Sequence, residues 1–592
     1  MKTLIVPTSD HLRCVVGAWR WHMTVSGGDL LARALADAGV TEVFTLHGGH
    51  LDAFLVACGK HDVRLTDTRH ESSAGHAADA YARVTGSLGV CVVTSGPGFT
   101  NAYTAIANGY LDRTPTLFIV GGPPLRESAT NPLQGGFDQV AAAAPVTKWA
   151  YRLTEAARIP EIVSLAVRKA TTGAPGPVLL EVPIDVMFGE ADEAEVRYPA
   201  RYALDARSVP SDSVVHQALD VLQGAQHPVI VIGGGVTFSR AADALVAFAE
   251  TVGVPVFYPG KSDGAIPASH RLAAGGLLGL GALSALGAPT PDVVLLVGAR
   301  AGMFTGGRAS MFPGARIVQV DLDAAEIGRM QDVAVAIVAD CRETLRALQA
   351  AAADRDWPDW SEWVHTAVQA QRFHRALYPD AATPSGRMHP YFAARAVVEA
   401  CPPGTTFVLD GAEAPAWAEF FATTETVGGV LRLGYLGTLG VGPGFAIGAA
   451  RARPAAPVVL ITGDGAAGFH LGEFDTMARH GMPVLTVVFN NAVWGMSVHG
   501  QQAVYGDGGV VVSELADSSY EKVAEAFGGY GERVGEVDEI AAAVQRAFAA
   551  QVPACLNLEI DPHTVHPLTT MMLGDVTATD AIVVPYYENL PR

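Results

Sequence analysis

The chain has 592 residues, of which 49% are hydrophobic and 17% charged, and its formal net charge is −20. This length predicts three or four domains with large buried cores, and the composition excludes intrinsic disorder. The acidic excess excludes a general nucleic-acid surface, which would need clustered Lys and Arg. No apolar stretch reaches the roughly 18 residues of a membrane helix, and the six scattered cysteines without a CxxC pair predict a reducing, cytoplasmic setting.

Positions 1–22 precede the periodic pattern of the rest of the chain, which begins near Ser26. They contain neither a signal-peptide core nor a clear cleavage site. We predict that Met23 opens the folded part and that positions 1–22 are an extension outside it, native or artefactual.

Positions 23–190 are predicted to form the first domain. Apolar runs at 42–46, 89–94, 116–120 and 178–182 predict strands, and helical patterns at 28–38 and 74–83 alternate with them. Such alternation predicts a doubly wound parallel sheet of the α/β class. The charged, irregular stretch at 189–210 is predicted to be a linker.

Positions 211–353 are predicted to form a middle domain of Rossmann type. A helix precedes an apolar strand at 228–232 and three glycines at 233–235, and further strands are predicted at 254–258, 292–297, 316–321 and 335–340. No GxGxxG motif opens a helix where a dinucleotide site would need it. Two options therefore stay open for this domain, a nucleotide site such as one for ADP, or a purely structural role.

Positions 385–562 are predicted to form a third α/β domain, with strands at 406–409, 458–462, 484–490 and 555–560. The tail at 563–592 still carries apolar residues after the last strand, and these must pack against something. A lid, a clasp on a neighbouring subunit and a buried surface tail are the alternatives for it.

Asp464 and Asn491 are the most informative pair in the third domain. They lie in a GDG and an NN motif, each directly after a buried strand, with a helical stretch between the two strands. Magnesium prefers oxygen ligands and is usually held by one or two protein groups together with phosphate oxygens. The small residues Gly465 and Ala466 leave backbone N–H groups free to approach a diphosphate. The sequence therefore predicts a magnesium and diphosphate site for a cofactor.

Further motifs point to one family. Glu71 ends the run 67–71 (DTRHE) and opens a helix, and the runs 94–102 (TSGPGFTNA) and 437–442 (GTLGVG) accompany the GDG and NN motifs. From position 23 to position 560 the chain resembles the thiamine-diphosphate enzymes of the acetolactate synthase, benzaldehyde lyase and oxalyl-CoA decarboxylase group. The runs 46–50 (LHGGH) and 133–139 (LQGGFDQ) resemble active-site stretches of benzaldehyde lyase, and actinobacterial 2-hydroxyacyl-CoA lyases are similar too.

The resemblance implies three doubly wound domains (pyrimidine-binding, middle and diphosphate-binding), with thiamine diphosphate and Mg²⁺ between the first domain of one subunit and the third domain of another. It therefore implies a homo-oligomer of at least two subunits, with a tetramer expected. By resemblance, Glu71 hydrogen-bonds the aminopyrimidine ring, Leu439 wedges the cofactor into a bent shape, and the Val493 carbonyl joins Asp464 and Asn491 on the metal. Further residues implied around the diphosphate are Gly411, Ala412, Glu413, Gly437, Gly463, Gly465 and Ala466.

Four residues are candidates for contact with the substrate. His47, His50 and Gln134 match polar residues around the reacting carbon in benzaldehyde lyase, and each can orient a carbonyl oxygen or relay a proton. Tyr435, just before the cofactor turn, is the fourth, and a core aromatic residue is the alternative interpretation for it.

The resemblance leaves several reactions to choose from. Acetolactate synthases bind FAD in the middle domain and carry two aspartates in a run where positions 298–305 (GARAGMFT) have none, which argues against FAD and against acetolactate synthesis. Two C–C lyase activities remain: cleavage of a 2-hydroxyacyl-CoA to formyl-CoA and an aldehyde or ketone, or benzaldehyde-lyase-like acyloin cleavage with its reverse carboligation. The apolar tail favours the small-molecule acyl-CoA substrate. The tail has no Lys and Arg cluster for the CoA phosphates, and Lys261 and Arg432 are the candidates elsewhere.

Overall fold

The computed structural model describes residues 24–127, 130–131, 133–302, 312–378, 380–583 and 590–591. The predicted extension at 1–22 lies outside these residues. The described chain forms three domains, each built on one parallel sheet between helices, which confirms the predicted α/β class.

The first domain holds a sheet of six parallel strands. The six strands are β2 (Glu42–Thr45), β3 (Arg64–Asp67), β4 (Gly89–Val93), β5 (Thr116–Gly122), β6 (Trp149–Arg152) and β7 (Val178–Pro183). Two further strands, β1 (Thr24–Ser26) and β8 (Glu190–Asp192), form a separate two-stranded sheet. Its helices are α1 (Gly27–Asp37), α2 (Asp52–Cys58), α3 (Glu71–Thr85), α4 (Pro97–Asp112), α5 (Gln139–Ala143), α6 (Ile159–Thr171) and α7 (Ile184–Met187). The sheet has the order β3-β2-β4-β5-β7-β6, and its central strands are buried throughout because helices cover both faces.

Two features of this domain differ from the sequence-based expectation. The edge strand β6 was not predicted, because its residues are only half-buried and do not form an apolar run. The stretch at 189–210, predicted to be a linker, begins with β8, which pairs antiparallel with β1 and ties the end of the domain to its start.

The middle domain holds five parallel strands in the order β10-β9-β11-β12-β13. These strands are β9 (Pro228–Ile232), β10 (Val256–Phe257), β11 (Val293–Val297), β12 (Arg316–Asp321) and β13 (Val335–Val338). The helices are α8 (Asp212–Gln223), α9 (Gly234–Phe238), α10 (Ala242–Val252), α11 (Leu277–Ala285), α12 (Cys341–Ala352), α13 (Ser361–Ala370) and α14 (His374–Leu377).

The middle domain extends beyond the predicted end at position 353. Trp360 and Trp363 are buried in its core, and their indole N–H groups donate to the carbonyls of Ala225 at 3.1 Å and Pro228 at 2.8 Å. The predicted boundary lies too early because positions 354–360 are mostly polar and contain a proline, a composition typical of a linker.

The third domain holds six parallel strands in the order β15-β14-β16-β17-β19-β18. They are β14 (Thr406–Asp410), β15 (Val430–Arg432), β16 (Val458–Gly463), β17 (Leu485–Asn490), β18 (Tyr530–Val534) and β19 (Ala554–Glu559). Its helices are α15 (Pro390–Ala400), α16 (Glu413–Glu419), α17 (Gly442–Ala452), α18 (Asp464–Ala467), α19 (Glu473–Arg479), α20 (Gly495–Tyr505), α21 (Tyr520–Ala526) and α22 (Ile540–Ala549). The tail adds α23 (Pro567–Leu573) and a short antiparallel pair, β20 (Ala581–Ile582) with β21 (Leu590–Pro591).

The first and third domains share one hydrophobic core. Helix α3 packs against α17, where Ala77 and Ala80 meet Phe445 and Ala446 in a common buried cluster. The start of α3 is fixed to the third domain by the backbone N–H of Arg69, which donates to the buried Glu473 carboxylate at 3.2 Å. The sheet edges of the two domains are therefore held in a fixed relation within one chain.

Candidate active site

The residues predicted around magnesium and diphosphate lie together at one edge of the third sheet. Strands β14, β16 and β17 are parallel neighbours, so the loops that follow them meet at the same edge. A pocket of about 190 Å³ lies at this edge, and it is called the diphosphate pocket below. Its lining includes Gly411, Ala412, Glu413, Leu439, Gly463, Asp464, Gly465, Ala466, Asn491 and Val493. The structure thus brings these predicted residues to one place.

Asp464 has an unsatisfied carboxylate oxygen in this pocket. Its side chain is only 2% exposed, and its Oδ1 accepts a hydrogen bond from the Gly465 N–H at 2.9 Å. Its Oδ2 is buried without a hydrogen-bond partner, and burial raises the pKa of Asp464 to about 7. A buried carboxylate oxygen without a partner is costly unless a cation compensates it, so the residues present fit a hard divalent ion such as Mg²⁺.

The turn after β17 has a strained backbone. Ala492, between Asn491 and Val493, adopts a φ of 58°, in the left-handed region that residues with a Cβ rarely occupy. The Val493 N–H donates to Asn491 Oδ1 at 3.3 Å. Strain of this kind persists where the surrounding structure enforces it, commonly at functional sites. Here it lies between two residues, Asn491 and Val493, that line the pocket containing Asp464.

One glycine of the GDG motif allows close approach to the pocket. A Cβ on Gly465 would lie 2.5 Å from the indole ring of Trp494, so no larger residue fits there without displacing that ring. The following residue, Ala466, lies within the four-residue helix α18 (Asp464–Ala467) and also lines the pocket. Apart from the Asp464 carboxylate, the motif therefore brings only small residues to the pocket wall.

Leu439 lies in a turn between β15 and α17, and the buried Asp410 holds the end of this turn. The Asp410 carboxylate accepts hydrogen bonds from the N–H groups of Gly440 at 3.1 Å and Gly442 at 2.8 Å. Burial raises the pKa of Asp410 to about 6. Sequence reasoning missed Asp410, although a carboxylate at the end of an otherwise apolar strand was a usable signal.

Glu71 begins α3 at the carboxyl edge of the first domain's sheet. Its side chain is 6% exposed, and the Asn101 side chain on α4 donates from Nδ2 to Glu71 Oε2 at 2.9 Å. Asn101 therefore orients the carboxylate and leaves Oε1 for another donor. Asn101 belongs to the run 94–102, which carries the family resemblance, but no role was predicted for its side chain.

Two of the substrate candidates lie at the same edge as Glu71. His50 Nδ1 lies 3.2 Å from Thr94 Oγ1, and burial lowers the pKa of His50. The backbone of Gln134 adopts a φ of 53°, and its carbonyl accepts from Ser95 Oγ at 2.5 Å. His47 differs, because its ring is 72% exposed and its Nε2 lies 2.9 Å from the Asp52 carboxylate.

Glu71 and the diphosphate pocket are separate in one chain. Among the described residues that line this pocket, all belong to the third domain or to positions 560–564, and none to the first domain. The Glu71 carboxylate, predicted to be catalytic, and the predicted metal site therefore occupy two different sheet edges. These two places are called the two half-sites below.

A second cavity of about 440 Å³ lies where the three domains meet, and it is called the junction cavity below. It shares Gly411, Ala412, Leu439 and Met496 with the diphosphate pocket and continues to Gly233 and Asp321 in the middle domain. Gly437, predicted beside the diphosphate, lines this cavity instead.

Tyr435 also lies in the wall of the junction cavity, outside the diphosphate pocket. The Arg300 guanidinium lies 4.5 Å and the Lys261 ammonium 5.1 Å from the centre of its ring. The ring therefore packs between cations of the middle domain, and its contact with the substrate stays a prediction.

Lys261 and Arg432, the candidates for CoA phosphates, are already paired with carboxylates of the protein. Lys261 forms an ion pair with Asp112. Arg432 forms ion pairs with Glu419 at 2.9 Å and Asp263 at 3.0 Å. Both cations line the junction cavity, but their charge is compensated within the protein.

The carboxylate of Glu413 holds the tail. It is 7% exposed and accepts from His499 Nδ1 at 2.8 Å and from Thr569 Oγ1 on α23. His499 Nε2 lies 2.9 Å from the Pro562 carbonyl, so both ring nitrogens face acceptors and the imidazolium form is favoured. Glu413 lines the diphosphate pocket as predicted, but its carboxylate is hydrogen-bonded to His499 and to Thr569 of the tail. This network docks α23 over α16 and α20 in the same chain.

The docked tail is expected to be most stable near neutral pH. His566 is fully buried, its Nδ1 accepts from the Leu568 N–H at 2.9 Å, and burial lowers its pKa from 6.5 to about 3. The stability it contributes is complete above pH 6.5 and is lost as the pH falls towards 3. Burial alone would lower the pKa of His499, but the Glu413 carboxylate raises this pKa above its usual value. The stability that His499 gives to the docked tail is therefore lost as the pH rises through the raised pKa.

Limited proteolysis between α23 and β20 measures this stability. Cleavage, normalised to an unstructured peptide, is expected to be slowest near neutral pH and to accelerate by at most about tenfold per pH unit on the acidic side. His566→Asn keeps a capping acceptor without a titrating ring. In a plot of cleavage rate against pH, it should therefore remove the rise on the acidic side and leave the alkaline side unchanged. If cleavage of this variant still accelerated at acidic pH as in the wild type, His566 would not be the group that loosens the tail.

Comparison with known proteins identifies the class of protein that this geometry defines. Three family models match the chain: the thiamine pyrophosphate enzyme N-terminal TPP binding domain over residues 25–142, the central domain over 215–348, and the C-terminal TPP binding domain over 410–558. The chain belongs to the thiamine-pyrophosphate enzymes.

Its relatives carry two kinds of name. An acetolactate synthase large subunit of Mycobacterium tuberculosis is 34% identical over 92% of this chain and 97% of that protein. A probable acetolactate synthase large subunit of Methanocaldococcus jannaschii is 32% identical over 92% of this chain and 93% of its own length. A 2-hydroxyacyl-CoA lyase 2 of Bos taurus is 31% identical over 86% and 85%. In the part of the chain that the structure describes, no helix is both long enough and apolar enough to span a membrane.

Proposed function

We propose that this protein is a Mg²⁺-dependent carbon–carbon lyase that cleaves a 2-hydroxyacyl-CoA to formyl-CoA and an aldehyde or ketone. The observation that carries this proposal is the junction cavity. It continues from the diphosphate pocket and is bounded on the tail side by Leu568 and Met572. A cavity of about 440 Å³ beside the cofactor suits a long substrate with an apolar body, and the tail closes over it. The names of the Bos taurus relative and its counterparts agree with this substrate class.

In this proposal the third domain anchors the cofactor. Asp464 Oδ2, Asn491 Oδ1 and the Val493 carbonyl would hold Mg²⁺, which would supply positive charge for the diphosphate. Thiamine diphosphate, when bound, supplies the nucleophilic carbon and the electron sink for C–C cleavage. Leu439 supports the cofactor from the turn that Asp410 fixes.

The first domain provides the acid–base groups. Glu71, oriented by Asn101 at Oε2, would hold or give up a proton at Oε1, toward the ring of a bound cofactor. His50 is held neutral by burial, so Nε2 of its ring can accept the proton of the substrate hydroxyl when the C–C bond breaks. Gln134 and the exposed His47 orient the substrate oxygens at the same sheet edge.

A second copy of the chain is needed to join the two half-sites. Glu71 of one chain would meet the diphosphate pocket of its partner, so a dimer is the smallest active unit. Tetrameric assembly and a cytoplasmic location, both expected from the sequence, stay predictions.

A nucleotide in the middle domain has weaker support. A Cβ on Gly233 would lie 2.6 Å from the Gly298 carbonyl, so this glycine is explained by packing of two loops. The Asp321 carboxylate, at the end of β12, is 3.4 Å from the Arg113 guanidinium and is therefore already paired. Binding of ADP there stays a prediction, and positions 303–305 of the run that argued against FAD lie outside the described residues.

Acetolactate synthesis is the second candidate, because relatives with that name align over most of the chain. Benzaldehyde-lyase-like acyloin cleavage, with carboligation as its reverse, is the third. One assay separates the three. Purified protein with Mg²⁺ and thiamine diphosphate receives formyl-CoA plus acetone or an aldehyde, pyruvate alone, or benzaldehyde alone, and products are identified by mass spectrometry.

The expected result is a 2-hydroxyacyl-CoA in the first reaction at a rate at least about tenfold above the other two. Acetolactate from pyruvate without a CoA product would assign the synthase activity instead, and benzoin alone would assign the acyloin lyase. The same assays on the Glu71→Gln protein give the background that does not depend on this site.

A further inference from the structure

A buried group of charges lies where all three domains meet, and its centre is Asp112 at the end of α4. The Asp112 carboxylate is 4% exposed and accepts from Arg83 Nη2 at 2.6 Å. It also pairs with Lys261 of the middle domain and accepts from the backbone N–H of Tyr435 in the third domain at 3.0 Å. Asp112 is thus bonded to each of the three domains.

The Tyr435 contact fixes the beginning of the turn that carries Leu439. Asp410, of the third domain, holds the end of this turn through the N–H groups of Gly440 and Gly442. Asp112, of the first domain, holds its beginning through Tyr435. Between these two carboxylates lies Leu439, which lines both the diphosphate pocket and the junction cavity.

The turn packs directly against the Asp112 carboxylate at Gly434. A Cβ at Gly434 would lie 1.7 Å from Asp112 Oδ2, so even alanine cannot occupy this position without moving the turn away. The carboxylate itself is firmly ionised. Burial opposes its charge, but Lys261 and Arg83 outweigh that effect and lower its pKa to about 2.

We propose that Asp112 is a positioning residue that sets the place of Leu439 against the cofactor bound to the same chain. The first domain of each chain then acts on two cofactors: Glu71 on that of the partner, and Asp112, through the turn, on its own. This inference rests on the proposed role of Leu439, but it requires no particular substrate.

Two variants test the proposal from opposite sides of the contact. Gly434→Ala displaces the turn and keeps every charge. Asp112→Asn leaves one acceptor oxygen where Arg83 uses Oδ2 and both Lys261 and the Tyr435 N–H use Oδ1. The new amide NH₂ must then face a donor on one side or the other, which disturbs the contact that holds the turn. Asp79→Asn is the matched control, because Asp79 is also buried and binds Arg83 at 2.7 Å but does not contact the turn. Gly508→Ala, in open space, controls for the glycine substitution itself.

Two readouts do not require a substrate. Hydrogen–deuterium exchange of a peptide spanning 430–442 reports protection of the Tyr435 amide in the protein without cofactor. Exchange of the C2 proton of bound thiamine diphosphate, followed by NMR after acid quench, reports how well the cofactor is positioned. The dissociation constant for the Mg²⁺ cofactor complex is measured in parallel.

Gly434→Ala and Asp112→Asn should both expose the Tyr435 amide and slow C2 proton exchange about ten- to a hundredfold, because misplacement of about 1 Å can have effects of this size. Their affinity for the cofactor should stay within about threefold of the wild type. Asp79→Asn should lower the melting temperature but leave both readouts unchanged. Unaltered C2 exchange in both turn variants, or an equal loss in Asp79→Asn, would overturn the proposal. Because neither readout uses substrate, failure of the lyase assignment would appear separately in the product assays.

Discussion

Replacing Glu71 by glutamine is expected to lower kcat by about 10² to 10⁴, the range that general acid–base groups contribute. The amide keeps the shape of the side chain but cannot exchange a proton with the cofactor ring. Because Glu71 lies outside the diphosphate pocket, the variant should still bind Mg²⁺ and thiamine diphosphate with nearly unchanged affinity. Turnover assays and cofactor titration by fluorescence quenching measure the two effects independently.

Glu42→Gln is the matched control for this substitution. Glu42 is in the same domain and is 4% exposed, but it begins β2, at the opposite edge of the sheet from Glu71, and hydrogen-bonds Thr66 at 2.5 Å. It should lose little activity. Wild-type turnover in Glu71→Gln, or an equal loss in Glu42→Gln, would contradict a proton-transfer role for Glu71.

Replacing Asp464 by asparagine is expected to abolish Mg²⁺-dependent retention of the cofactor and to raise the stability of the metal-free protein. The first effect follows from loss of the charged metal ligand, and cofactor affinity should fall by at least about a hundredfold. The second follows because the wild-type carboxylate has a buried oxygen without a partner. Burial raises its pKa from 3.8 to about 7, so ionisation opposes folding progressively from pH 4 and fully above pH 7.

Thermal unfolding at pH 8 tests both effects in one experiment. Without metal, Asp464→Asn should melt above the wild type, with a gain of about 1–4 kcal/mol in the free energy of unfolding. With saturating Mg²⁺ and thiamine diphosphate the order should reverse, because only the wild type is stabilised by binding. A variant that melts below the wild type without metal, or that retains cofactor normally, would remove Asp464 from the metal site.

Local motifs made the diphosphate pocket predictable. Asp464 and Asn491 each directly follow an apolar strand, and parallel strands bring such positions to one edge whatever the rest of the chain does. The same reasoning located Glu71 at the start of α3. Residues of this kind can be found from sequence because their geometry depends on a few neighbouring positions.

Contacts between distant parts of the chain could not be predicted in this way. Asp112 and Tyr435 are 323 positions apart, and no periodicity connects them. The role of Glu413 depends on where the tail docks, and Tyr435 faces the middle domain because the junction of three domains surrounds it. Such assignments require the packing of whole domains, and sequence patterns do not contain it.

The junction at Asp112 also limits how this protein can be recombined with its relatives. A chimera that exchanges only the middle domain would replace Lys261 while keeping Asp112, its ion-pair partner, and Gly434, which packs against Asp112. The three positions lie in three different domains, so single crossovers at the domain boundaries separate them. They should be inherited or engineered as one set, and libraries of shuffled domains should yield active members chiefly when all three come from one parent.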